Sequence, residues 1–85
     1  MQLGLRMFEI KVYTVANCPY CIALEKFLDG HNIRFRNIDV SRNKEVREEI
    51  IHKSGQTGVP VVEVNGEVVV GFDRERISQL LNIKD

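Results

Sequence analysis

Both cysteines of the 85-residue chain fall in one short motif, Cys18-Pro19-Tyr20-Cys21. A disulfide closing so small a loop constrains little of the unfolded chain, and a zinc site normally draws on four ligands, so a staple or half a metal site explains the pair poorly. Reversible thiol chemistry explains it better, provided the backbone makes one sulfur acidic and brings the other within reach. The preceding residues, Phe8-Glu9-Ile10-Lys11-Val12-Tyr13-Thr14, alternate apolar and polar side chains and read as a strand with one buried face. Pro19 suits the first position of a helix, and Ile22, Leu24, Phe27 and Leu28 give that helix an apolar stripe ending near Gly30. Cys18 is thereby expected at a helix N-terminus, beside unpaired backbone N–H groups that favour a thiolate. Such settings lower a cysteine pKa from about 8.5 to roughly 3.5–7.5, which makes Cys18 the candidate nucleophile. Cys21 follows one helical turn later, where it can attack a mixed disulfide formed at Cys18; it is the candidate resolving thiol.

Tyr20 lies between the cysteines at the exposed start of the helix, either as a solvent-facing aromatic or as a wall for an incoming peptide or thiol. His31 and His52 stand at a helix end and on a helix rather than as a spaced ligand pair, and read as surface histidines. The elements that must hold the motif continue with Ile33-Arg34-Phe35-Arg36-Asn37-Ile38-Asp39-Val40, which alternates as a second strand. A helix over 44–54 follows, with Val46, Ile50 and Ile51 on one face, Glu49 and Lys53 spaced to pair outside, and Gly55 as its stop. Two valine-rich strands flank Asn65-Gly66, a turn pair that tolerates positive φ at both positions and so favours a tight hairpin. Asp73 is placed to cap a last helix over 74–81, with Ile77, Leu80 and Leu81 as its apolar stripe. The order predicts an α/β fold: a mixed four-stranded sheet flanked by three helices, with a parallel first crossover and an antiparallel hairpin.

Composition narrows the chemistry further. Lys plus Arg and Asp plus Glu number 12 each, so no basic excess exists to displace counterions from a nucleic acid, and no nucleic-acid partner is expected. No apolar run approaches the roughly 18 residues a membrane span requires, and the first residues do not form a charged segment followed by a long apolar one. The expectation is a soluble, cytoplasmic protein without membrane contacts, monomeric, with residues 1–6 as an extension and 7–85 as one domain.

With these elements in place, the chain resembles the glutaredoxins of the thioredoxin superfamily. The resemblance covers about residues 7–82 and rests on Cys18-Pro19-Tyr20-Cys21 between strand and helix, Gly58-Val59-Pro60 before the hairpin, and Gly71-Phe72-Asp73 before the last helix. It implies a thioredoxin-like fold and a thiol-disulfide oxidoreductase that reduces protein disulfides or glutathione-mixed disulfides, with no bound cofactor. It further implies a cis peptide bond before Pro60 beside the active-site sulfur, and a substrate surface made of Tyr20, Val59, Pro60, Phe72 and Asp73, on which the backbone of Val59 pairs with the bound thiol peptide. Glutathione-using members carry a basic residue three positions before the first cysteine, a threonine before Val-Pro and Gly-Gly ahead of the last helix; here Val15, Gly58 and Gly71-Phe72 stand instead. The Gly71-Phe72 pair resembles the redoxins that take electrons from thioredoxin reductase, so glutathione and thioredoxin reductase both remain as reductants. Lys53, Gln56 and Arg74 are candidate carboxylate or peptide contacts, against the alternative of a solvated polar face. A further alternative is carriage of an iron-sulfur cluster between two subunits, each donating Cys18.

Overall fold

The computed structural model describes residues 9–55 and 58–83. The N-terminal extension, Phe8 of the first strand and Gln56 lie outside the described residues. Eight short elements follow in order: β1 (Ile10–Thr14), α1 (Pro19–Gly30), β2 (Arg36–Asp39), a 3-10 turn (Val40–Arg42), α2 (Lys44–Ser54), β3 (Val61–Val64), β4 (Glu67–Val70) and α3 (Arg74–Leu81). The strands form one sheet in the order β2-β1-β3-β4. β1 and β2 run parallel, β1 and β3 antiparallel, and β3 and β4 antiparallel. This is the mixed four-stranded sheet with three helices expected from the sequence.

The period-2 alternation of the strands sorts the core into two layers. Ile10 and Val12 of β1, Val62 and Val64 of β3 and Val69 of β4 point to one face, where Leu24 and Leu28 of α1 and Ile77 and Leu81 of α3 cover them. Tyr13 and Val61 point the other way and pack with Val40 and with Ile50 of α2. β3 therefore carries buried valines on both faces, at Val61, Val62 and Val64, as befits an interior strand. The hairpin closes through Asn65 and Gly66 at φ 50° and 94°, the paired positive values a tight turn demands. Asn65 also ties the turn to the start of β1: Glu9 N–H donates to its Oδ1 at 2.8 Å, and its own N–H donates to the Glu9 carbonyl at 2.9 Å.

Several boundaries differ from the sequence pattern. Only Arg36–Asp39 joins the ladder beside β1; Ile33 and Phe35 pack against the core edge without strand pairing, and Val40 is already buried in the 3-10 turn that Asp39 caps. Ile22 leaves the α1 core stripe and is 47% exposed, because Cys21 takes the inward position together with Leu24 and Leu28. Ile51 likewise faces outward on α2 beside the buried Ile50.

A polar network fastens α2 to the sheet. Tyr13 Oη donates to Glu63 Oε1 at 3.2 Å, and Lys53 Nζ reaches the same oxygen at 3.0 Å and Glu49 Oε2 at 3.2 Å. The Glu49–Lys53 pair is the one its spacing suggests, but Lys53 is also drawn inward, so its ammonium is engaged by two carboxylates. Burial pushes the Glu63 carboxyl up, yet hydrogen bonds and charge from Lys53 outweigh it and hold the group below its ordinary value. The hydrogen bond to Glu63 in turn raises Lys53 despite some desolvation, and burial raises Tyr13. A lowered carboxylate contributes stability above its unfolded pKa of about 4.3, lost as pH falls through the folded value; a raised ammonium contributes below about 10.4, lost as pH climbs through the folded value. Glu63→Gln is accordingly expected to cost about 1–2 kcal/mol near neutral pH. The difference from the parent should shrink below about pH 4 and above about pH 10.5, as read by urea unfolding across pH. A deficit independent of pH would show that the ion pair is not its source.

Candidate active site

The register brings three separated loops to one end of the sheet. Tyr13 at the end of β1 pairs with Val61 at the start of β3, and Val61 pairs with Val70 at the end of β4. Residues 15–18, Val59-Pro60 and Gly71-Phe72-Asp73 therefore emerge side by side. β2 runs parallel to β1 and ends at the same edge with Asp39.

Cys18 is the N-cap of α1, with extended backbone at φ −100° and ψ 110°, and Pro19 opens the helix as the sequence pattern suggests. Its sulfur accepts the Cys21 backbone N–H at 3.2 Å, while its carbonyl accepts Ile22 N–H at 3.0 Å. A cap atom that accepts an otherwise orphan N–H is better matched to that donor when it carries negative charge. Both cysteines are free thiols, Cys18 partly exposed and Cys21 only 2% exposed. Burial, then its hydrogen bond to Cys18 and the nearby charges of Cys18 and Glu25, push the Cys21 thiol up to about 12, against a smaller downward pull from the backbone at Val15. One turn of helix thus presents an accessible sulfur with a backbone donor and a buried sulfur that keeps its proton.

The other residues singled out from the sequence lie at the start of α1, on the loops before β3 and before α3, and at the histidine positions. Tyr20 is 70% exposed at the start of α1 and, with the exposed Ile22, flanks the cysteines with apolar surface. The Val59-Pro60 peptide bond is cis. Pro60 is buried, and Val59 is half-buried against the core cluster of Tyr13, Val40, Ile50 and Val61. The Pro60 carbonyl accepts the Gly71 N–H at 2.7 Å, which locks the rim loop to the loop before β3. Gly71 has φ 80°, a value an L side chain resists. Phe72 is half-buried, its ring 5.7 Å from that of Phe27, and the Arg74 guanidinium lies 5.1 Å over the same Phe27 ring. Asp73 is exposed and caps α3 by accepting the Arg76 N–H at 3.1 Å. His31 is half-buried with its ring edge against Phe27 at 4.8 Å, and His52 is exposed. Among the described residues no group of three or more His, Cys, Asp or Glu is arranged to hold a metal ion.

Beside Cys21 lies a cleft of ≈ 260 Å³ whose walls include Thr14, Ile22, Glu25, Asn37 and Asp39. Asn37 links two of them: its Oδ1 accepts the Thr14 hydroxyl at 2.8 Å, and its Nδ2 donates to Glu25 Oε2. Sequence patterning does not single out this chain of polar groups, although Glu25 stands four residues after Cys21 and so shares its side of the helix. A larger depression of ≈ 720 Å³ runs along α3 and shares no wall with the cysteine cleft.

A four-stranded mixed sheet with a Cys-x-x-Cys at the start of its first helix is the thioredoxin-like arrangement. The glutaredoxin family model matches residues 10–69. A glutaredoxin-like 8.6 kDa protein from the rubredoxin operon of Clostridium pasteurianum is 36% identical over 72 residues, which span 85% of this chain and 96% of that protein. Glutaredoxin 3 of Escherichia coli K12 is 31% identical over 67 residues, 79% of this chain and 81% of the relative. Among solved structures, the glutaredoxin of Archaeoglobus fulgidus superposes with a TM-score of 0.79 at 29% identity, covering 88% of this chain and 87% of that one. The chain belongs to the glutaredoxin family.

Proposed function

We propose that the protein is a dithiol oxidoreductase that reduces disulfides of proteins, or mixed disulfides with glutathione, in the cytoplasm. The observation that carries this reading is the division between the two sulfurs: Cys18 accessible and capped by the Cys21 N–H at 3.2 Å, Cys21 buried with its thiol pushed up to about 12. Cys18 attacks a substrate disulfide as thiolate, forming a mixed disulfide and expelling the first substrate thiol. Cys21 then attacks Cys18 Sγ; the Cys18–Cys21 bond forms, the mixed bond breaks, and the electron pair leaves with the second substrate thiol. Tyr20, Val59, Pro60, Phe72 and Asp73 frame the surface on which the substrate chain rests. Val59 offers its backbone to an extended peptide, as sheet-adding ligands require.

The rim favours a second reading of the electron donor. Phe72 and Arg74 both pack on Phe27, so the last helix begins with a ring and a guanidinium already engaged rather than with an open approach for a small carboxylate ligand. Thioredoxin reductase is then the reductant in place of glutathione. The test follows NADPH consumption by the oxidised protein in two arms, glutathione with glutathione reductase and thioredoxin reductase alone. Reduction in the first arm assigns glutathione, reduction in the second assigns the reductase, and reduction in neither refutes the oxidoreductase.

A further inference from the structure

Resolution of the mixed disulfide poses a proton problem. A thiol 2% exposed, held in its protonated form by burial and by its neighbours Cys18 and Glu25 against the pull of the Val15 backbone, must become a thiolate before it can attack Cys18. The cleft of ≈ 260 Å³ against Cys21 contains two carboxylates, Glu25 from α1 and Asp39 from the end of β2. Asp39 is committed elsewhere: its Oδ1 accepts both the Ser41 hydroxyl at 2.6 Å and the Ser41 N–H at 2.9 Å, and these bonds hold its carboxyl below the ordinary range. Such a carboxylate is a poor base. Glu25 is one turn beyond Cys21 on the same helix and is oriented across the cleft by Asn37, whose amide is itself fixed by the Thr14 hydroxyl.

We propose that Glu25 is the proton acceptor for Cys21 in the resolving step, directly or through one water in the cleft. This rests on the dithiol reading above. The Cys21 proton passes to the Glu25 carboxylate as the Cys21 thiolate forms the bond to Cys18 Sγ. The Cys18–substrate bond breaks, the departing sulfur takes the electron pair, and Glu25 returns the proton to that thiolate or to solvent. Cys18 and Cys21 end oxidised and the substrate ends reduced. The groups acting on Glu25 favour its taking up a proton: burial and then Asp29, one turn further along α1, raise its carboxyl, and the Asn37 hydrogen bond lowers it in part. Asp39 faces it across the cleft, and Cys21 from its own helix.

The experiment mixes the reduced protein with an aromatic disulfide that releases one coloured thiolate on attack by Cys18 and a second on resolution by Cys21, with both phases timed by stopped flow. In Glu25→Gln the first phase is expected to keep its rate while the second falls about 100-fold near neutral pH and then climbs with hydroxide. Glu25→Asp, with a carboxylate on a shorter arm, recovers part of the loss. Asn37→Ala keeps the Glu25 carboxylate but removes the hydrogen bond that favours its ionised form, and shifts the pH midpoint of the second phase upward. That variant also provides a test if Glu25→Gln does not fold. A second phase in Glu25→Gln with the parent's rate and pH profile would overturn the proposal, as would equal slowing of both phases, or an unmoved midpoint in Asn37→Ala. A parent protein that releases no second thiolate would instead overturn the dithiol reading itself.

Discussion

Cys18→Ser is expected to lose disulfide reduction by at least about 10³-fold while keeping its fold. A serine hydroxyl is far too weakly acidic to supply the attacking anion at neutral pH, and no second sulfur is positioned to substitute, since Cys21 is buried and holds its proton to about 12. The fold should not suffer, because Cys18 is the N-cap of α1 and serine is among the preferred N-cap residues, able to accept the same Cys21 N–H. Loss of turnover with an unchanged or slightly raised unfolding midpoint is therefore the signature of a lost nucleophile. Retained turnover would move the chemistry to Cys21.

Removing Cys21 should stop the reaction halfway. The first substrate thiol is still released, but the mixed disulfide at Cys18 has no partner one turn away, so release of the second thiol is expected to fall at least about 100-fold and to return when an external thiol is added. The replacement matters here. Serine would place a hydroxyl in a core site that is 2% exposed, where an unsatisfied polar group costs about 1–3 kcal/mol, whereas alanine leaves only a small cavity. Cys21→Ala is thus the cleaner arrest, and intact mass should show one substrate adduct per chain. Full dithiol turnover in that variant would remove the resolving role.

Much of this arrangement is legible in the sequence because it is local. The Cys-Pro-Tyr-Cys spacing, the proline at the first helical position, the Asn65-Gly66 turn and the Asp73 cap each need only a few neighbouring residues, and each takes the predicted conformation. The valine-rich β3 and β4 also pair antiparallel, as the Asn65-Gly66 turn between them suggests. What sequence patterning misses is set by partners distant in the chain. Lys53 fits an exposed pair with Glu49, and only the packing of α2 on β3 brings Glu63 to the same ammonium. Ile22 carries an apolar side chain and fits a core stripe, but α1 turns the smaller Cys21 inward beside Leu24 and Leu28 and leaves Ile22 at the cleft mouth. The Thr14–Asn37–Glu25 chain joins a strand, its parallel neighbour and the helix between them, a contact that no local periodicity encodes. β2 is shorter than its alternation because a strand lasts only as long as its ladder, and β1 offers partners from Lys11 to Thr14 alone.

The division of labour between the two sulfurs can be read directly by treating the reduced protein with a limiting amount of iodoacetamide at neutral pH and locating the label by peptide mass. Labelling at Cys18, with Cys21 modified only after unfolding, is the expected result. Equal labelling of the two cysteines, or preferential labelling of Cys21, would contradict the assignment of Cys18 as the attacking thiolate.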